Sequence, residues 1–189
     1  MIDENKHQIL DTSSATNINS DIQNIDKSIA IYKVQLEQGD IQKAYQYLLR
    51  YVMHLKVYFT SSLTDKFSCG NVSPGYMDFT YFPFFDGYLR ERKLRFGIVL
   101  NHKALRFELW LMGQNATVQK AYWSKLKNSQ WNAERTEMPQ YSVLETILVE
   151  SPDFTDADLL TEMIKKEALR VSETVLDSLK VFDTENKSY

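Results

Sequence analysis

Arg95, Arg106, Glu108 and Trp110 are the residues of this chain whose types and spacing could do chemistry. They sit at even spacing within two alternating runs, so an extended backbone sends them to one side. Guanidinium groups recognise anions, a neighbouring carboxylate orients them or takes a proton, and an indole is a flat platform for a cation or a ring. Tyr76 and Asp78 add a second ring and a second carboxylate from an earlier aromatic stretch. Two readings compete. In the first, a non-catalytic binding module uses Trp110 and Tyr76 as apolar platforms. Arg95 and Arg106 then meet an anionic group, and Asp78 and Glu108 orient the arginines. In the second, an enzyme acts on a small anionic metabolite or nucleotide, with Glu108 or Asp78 as general base and an arginine stabilising charge. A plainer alternative is a half-solvated sheet face on which Arg pairs with Glu and stacks on Trp.

The elements that position this set can be read from the same stretch. Leu94, Phe96, Ile98 and Leu100 alternate along one run, and Leu105, Phe107, Leu109 and Leu111 along the next. A polar break at Asn101–Ala104 separates them, which is the pattern of a β-hairpin. Setting Leu100 opposite Leu105 brings all the apolar side chains to one face. Arg95 then lies across from Trp110, Val99 from Arg106 and Glu108 from Gly97. Tyr76–Phe82 is expected as the preceding strand, carrying Asp78 among aromatic residues, with Pro83 at a strand end or edge. A buried carboxylate there needs a donor, and a hairpin arginine could supply one.

The flanking segments follow helical periodicity. A helix is expected from Asp26 to Gln38, with Ile29, Tyr32 and Leu36 on its stripe and Gly39 ending it. Another starts at Asp40, with Ile41, Ala44, Tyr45, Leu48, Val52, Leu55 and Phe59 on its stripe. After the hairpin, Asn115 caps a helix over Ala116–Lys127, and Glu145–Val149 reads as a strand. Thr155 with Asp158 approximates a capping box for a last helix to about residue 182. Residues 1–24 and 183–189 are polar and aperiodic and read as tails, flexible at the N-terminus, around one domain over 25–182. The fold class is α+β: an antiparallel sheet of three to five strands with helices mainly on one face, in the order ααβββαβα.

Composition narrows the function classes. A length of 189 residues suits one stable domain. A net charge of −3 favours neither nucleic acid nor an anionic membrane as partner. No apolar run approaches a transmembrane helix and no signal-peptide core is visible. With a single cysteine, Cys69, no intrachain disulfide can form, and a cytoplasmic location is expected. The chain is rich in rings, with 11 Tyr, 10 Phe and 3 Trp. No glycine-rich phosphate loop, zinc ligand set or nucleophile elbow is present, so no cofactor or metal is expected. Asp78 and Glu108 could in principle hold Mg²⁺ as in metal-dependent nucleases, but the lysine such sites add near the second carboxylate is missing. The expected partner is a small anionic ligand or a protein, a second copy of this chain included.

Several blocks together resemble one bacterial family of small cytoplasmic proteins known only as a domain of unknown function. They are Gly39–Tyr45, Gly75–Phe82, Arg92-Lys93-Leu94, Arg106–Leu111, Tyr122-Trp123 and Pro152-Asp153-Phe154. The resemblance spans about residues 25 to 180 and implies a domain but no activity.

Overall fold

A computed structural model describes the backbone of residues 12–185 and the side chains of residues 24–184. The chain forms two compact units, Met1–Tyr47 and Leu48–Tyr189. In the first, α1 spans Thr12–Gln38 and α2 begins at Asp40, running on to Ser62. The helix expected from Asp26 therefore begins earlier, because neither glycine nor proline interrupts the backbone between Thr12 and Gln38. Of the expected N-terminal tail, residues 1–11 lie outside the described residues. Gly39, at φ +79°, ends α1 as expected.

In the second unit the chain continues through β1 (Ser68–Cys69), β2 (Phe79–Phe85), α3 (Gly87–Glu91), β3 (Leu94–Asn101), β4 (Arg106–Gly113), α4 (Ala116–Leu126), β5 (Leu144–Val149) and α5 (Ala157–Glu185). The strands form one antiparallel sheet in the order β1-β2-β3-β4-β5. This is the expected α+β fold and element order, with the two-residue β1 and the short α3 added. Among the described residues no helix is long and apolar enough to cross a membrane. α5 continues past the expected end at residue 182, and residues 186–189 lie outside the described residues.

The hairpin β3–β4 has the predicted faces but a different register. Leu100 pairs with Phe107, Val99 with Glu108, Gly97 with Trp110 and Arg95 with Met112. The pairing is shifted by two residues from the one expected, which leaves every side chain except that of Leu105 on its predicted face. The loop causes the shift. Asn101 Oδ1 accepts from the Ala104 amide at 3.1 Å, and Leu105 turns left-handed at φ +49°. Leu105 thus leaves the strand and is exposed, while Leu94, Phe96, Ile98, Leu100, Phe107, Leu109 and Leu111 are buried. Each fully buried side chain of this size contributes on the order of 1.5–3 kcal/mol relative to exposure.

That buried face is the floor of the main core. Tyr51, Val52, Leu55 and Phe59 of α2 pack over it, with Leu126 of α4 and Leu160, Ile164, Val171, Val175 and Leu179 of α5. Rings fill the sheet end near β1: Phe59 meets Phe82 edge-on at 5.5 Å and Phe67 meets Phe84 at 5.1 Å. β2 corrects the expected Tyr76–Phe82 strand, starting later and running through Pro83. In an antiparallel strand the N and O of one residue point the same way. The Pro83 carbonyl accepts from the Gly70 amide at 2.8 Å, so its missing N–H falls where the short β1 ends rather than in the β2–β3 ladder. Asn115 caps α4 as expected, accepting from the Val118 amide. The last helix is capped by Asp156, whose side chain accepts from the Leu159 amide, because Thr155 turns its hydroxyl to Asp153 instead.

Candidate functional site

On the other face of the sheet, among the described residues of the second unit, the apolar cluster is made of strand residues alone. Phe79, Tyr81, Val99, Trp110 and Met112 form this second, smaller cluster. It is flanked at its two ends by the two arginines singled out in the sequence.

At one end, Arg106, Glu108 and Trp110 follow one another at period two along β4, so their side chains adjoin. Glu108 is 3% exposed and fully partnered. Its Oε1 accepts from Arg106 Nε at 2.6 Å and from Asn101 Nδ2 at 3.1 Å, and its Oε2 accepts from Trp110 Nε1 at 2.7 Å. Arg106 also reaches Glu150, just past β5, at 3.3 Å. These carboxylates hold the Arg106 guanidinium firmly charged. Three donors thus occupy the two oxygens of Glu108. It was expected opposite Gly97 with nothing large over it; instead it lies between Val99 and Ile147.

At the other end, Arg95 forms no ion pair among the described residues, and its Nε is buried without a hydrogen-bond partner. The group borders a concavity of about 390 Å³ lined by residues that include Tyr76, Asp78, Phe79, Trp110, Met112 and Tyr141. Gly97, directly across from Trp110, keeps the floor low: a Cβ there would stand 2.5 Å from Met112 Cε. Phe79 packs edge-on against Trp110 at 4.8 Å and lies 6.3 Å from Tyr141. The indole is nearly buried, at 4% exposure, while Tyr76 on the rim is 96% exposed.

The rim segment is built by local chemistry. Gly75 is left-handed at φ +67°, and an added Cβ would meet the Phe79 carbonyl oxygen at 2.2 Å. Asp78 is exposed and outside the strand, contrary to expectation. Its Oδ1 accepts from the Tyr76 amide at 2.9 Å and the Phe79 amide at 2.7 Å, so its partners are backbone amides and not a hairpin arginine. Those two bonds lower its pKa, which makes it a weak base. Thr80 clamps the segment from below: its hydroxyl donates to the Pro74 carbonyl at 2.7 Å and lies 2.8 Å from His102 Nε2. Burial lowers the His102 pKa, opposed by the Asp78 charge.

Four of the six residues marked in the sequence, Tyr76, Asp78, Arg95 and Trp110, therefore line one cavity. Arg106 and Glu108 stand apart from it in a closed network. Sequence reading missed Tyr141, which no local pattern places, and Met112, whose position across from Arg95 depends on the register. Cys69 is half-buried, and burial raises its thiol pKa, so a reactive thiolate is disfavoured. Among the described residues no group of three or more His, Cys, Asp or Glu could hold a metal ion.

Comparison with known proteins bears on the family and not on the site. No curated protein and no solved structure matches the chain. A family described as a domain of unknown function, DUF7000, matches residues 25–179. That match takes in every strand, α3, α4 and α5 as far as Leu179. The chain therefore belongs to the DUF7000 family.

Proposed function

We propose that this protein is a binding module, and that the sheet face opposite the main core holds a small ligand with an anionic group and a planar apolar part. The observation that carries this reading is the half-buried Arg95 side chain, which forms no ion pair among the described residues and borders an aromatic concavity. A cation without a carboxylate partner at the border of a ring-lined concavity is complementary to an anionic group carried on a planar ligand. Phe79 and Tyr141 supply ring surface to the apolar part, above the nearly buried Trp110. Catalysis by Glu108 or Asp78 is the weaker reading, since three donors occupy one carboxylate and two backbone amides hold the other acidic.

A thermal-shift screen with aromatic carboxylates, sulfonates and phosphates tests the proposal. At least one class is expected to raise the melting temperature of the wild type and not of Arg95→Gln. No shift in the wild type, or one that persists in Arg95→Gln, overturns it.

A second reading rests on α1. Ile25, Ile29, Tyr32 and Leu36 recur at four-three-four spacing, and all four are exposed. That is the seam of a coiled coil, and a helix with its stripe in water is marginal without a partner of the same period. The partner is a second copy of the chain. Sedimentation over a range of concentrations is expected to show a dimer that Ile29→Lys dissociates. A monomer throughout removes this reading and leaves the cavity untouched.

A further inference from the structure

Beside the aromatic concavity lies a second depression of about 240 Å³, lined by Phe85, Arg90, Lys93, Leu94, Arg95 and Gln114. Arg95 borders both. The second depression has three cations in its lining and no carboxylate, in a chain whose net charge is −3. Among the described residues none of the three forms an ion pair. A shortage of acidic partners does not explain this: Arg92, within the same run, pairs with Asp183 at 2.6 Å. The Arg90 side chain and the Lys93 backbone are also held in place. The Arg90 guanidinium lies over the Phe85 ring, 5.0 Å from its centroid. Lys93 is left-handed at φ +57°, a conformation costly for a lysine, and is fixed there by bonds from its amide to the Arg90 carbonyl and from the Gln114 amide to its own carbonyl.

We infer that the ligand is a phosphorylated one: its planar part lies against Phe79 and Tyr141, and its phosphoryl group enters the depression between Arg90, Lys93 and Arg95. This rests on the binding reading above and names the ligand class. Three cations bordering one depression exceed what a carboxylate monoanion needs and suit a dianionic phosphate, which accepts several charge-assisted hydrogen bonds at once.

Equilibrium binding at fixed low salt tests it with four probes: methylumbelliferyl phosphate, methylumbelliferyl sulfate, methylumbelliferone and inorganic phosphate. The phosphate ester is expected to bind about tenfold or more tighter than the singly charged sulfate. Arg90→Gln and Lys93→Gln should each weaken the phosphate ester more than the sulfate, bringing it toward the affinity of the sulfate, and leave the melting temperature unchanged. Arg95→Gln should abolish binding of both esters. Equal affinity for the two esters, or no effect of Arg90→Gln and Lys93→Gln, overturns the phosphate assignment and leaves the aromatic anion site standing. Inorganic phosphate binding as tightly as its ester overturns the part given to the rings. No binding of either ester or of inorganic phosphate overturns both.

Discussion

Arg106 and Arg95 point from the same face of the same hairpin, and Trp110 lies between them. Arg106 is enclosed: Glu108, Glu150 and the neighbouring Asn101 and Trp110 donors make a network in which each carboxylate oxygen of Glu108 has a partner. Arg95 has no carboxylate partner and borders two depressions. The difference teaches that charge on a sheet face is not by itself a site. A cation whose partners lie on its own strand and the next contributes to the fold. A cation left unpaired at the edge of a concavity is available to a ligand. The two ends should therefore respond to substitution in opposite ways.

Glu108→Gln should have the largest effect on stability. It keeps the shape but removes the charge and sets an amide group against donor N–H groups from Arg106 or Trp110. Breaking one partner of a nearly buried network costs about 3 kcal/mol, read as a lower midpoint in denaturant titration at constant slope. Gly75→Ala comes next, at about 1–2 kcal/mol, because the left-handed backbone and the Phe79 carbonyl leave no room for a Cβ. Since Gly75 belongs to the cavity rim, this variant should also weaken any ligand that shifts the wild type.

Acidification should have a smaller effect. Burial holds the folded His102 pKa below its ordinary value of 6.5. As pH falls below about 6.5, the unfolded chain takes up the proton first, and stability falls until the folded imidazole is protonated too. Asp78 acts in the same direction lower down: its stabilisation is present above the ordinary carboxylate range near 3.8 and is lost as pH falls through its depressed folded value. The melting temperature of His102→Asn should therefore vary less than that of the wild type across the imidazole range; equal slopes would remove His102 from the rim.

Arg95→Gln should have the smallest effect, within about 0.5 kcal/mol in either direction, because no protein partner is lost. If it destabilises the protein as much as Glu108→Gln does, Arg95 has a structural role and the contrast between the two ends disappears.

How much of this was legible in sequence depends on the range of the determining interactions. The faces of the hairpin were legible because alternation is a property of each strand alone: Phe107 and Leu109 point into the core and Glu108 away from it in either register. The register itself was not, since a shift of two residues preserves every face, and hydrophobic burial hardly distinguishes the two. The Asn101 side chain and the left-handed Leu105 decided it. Asp78 looked like a strand residue because rings surround it in sequence. Gly75 and two backbone amides instead make it the centre of a turn.

Local order along the chain thus determined the class of fold, the order of its elements, the apolar face and the set of residues able to do chemistry. It could not separate Arg95 from Arg106, which occur in similar alternating surroundings. Tertiary structure separated them, because a salt bridge or a cavity is formed by residues distant in sequence: Glu150 arrives from beyond β5 to enclose one arginine, and Tyr76 and Tyr141 arrive from two loops to wall the space beside the other.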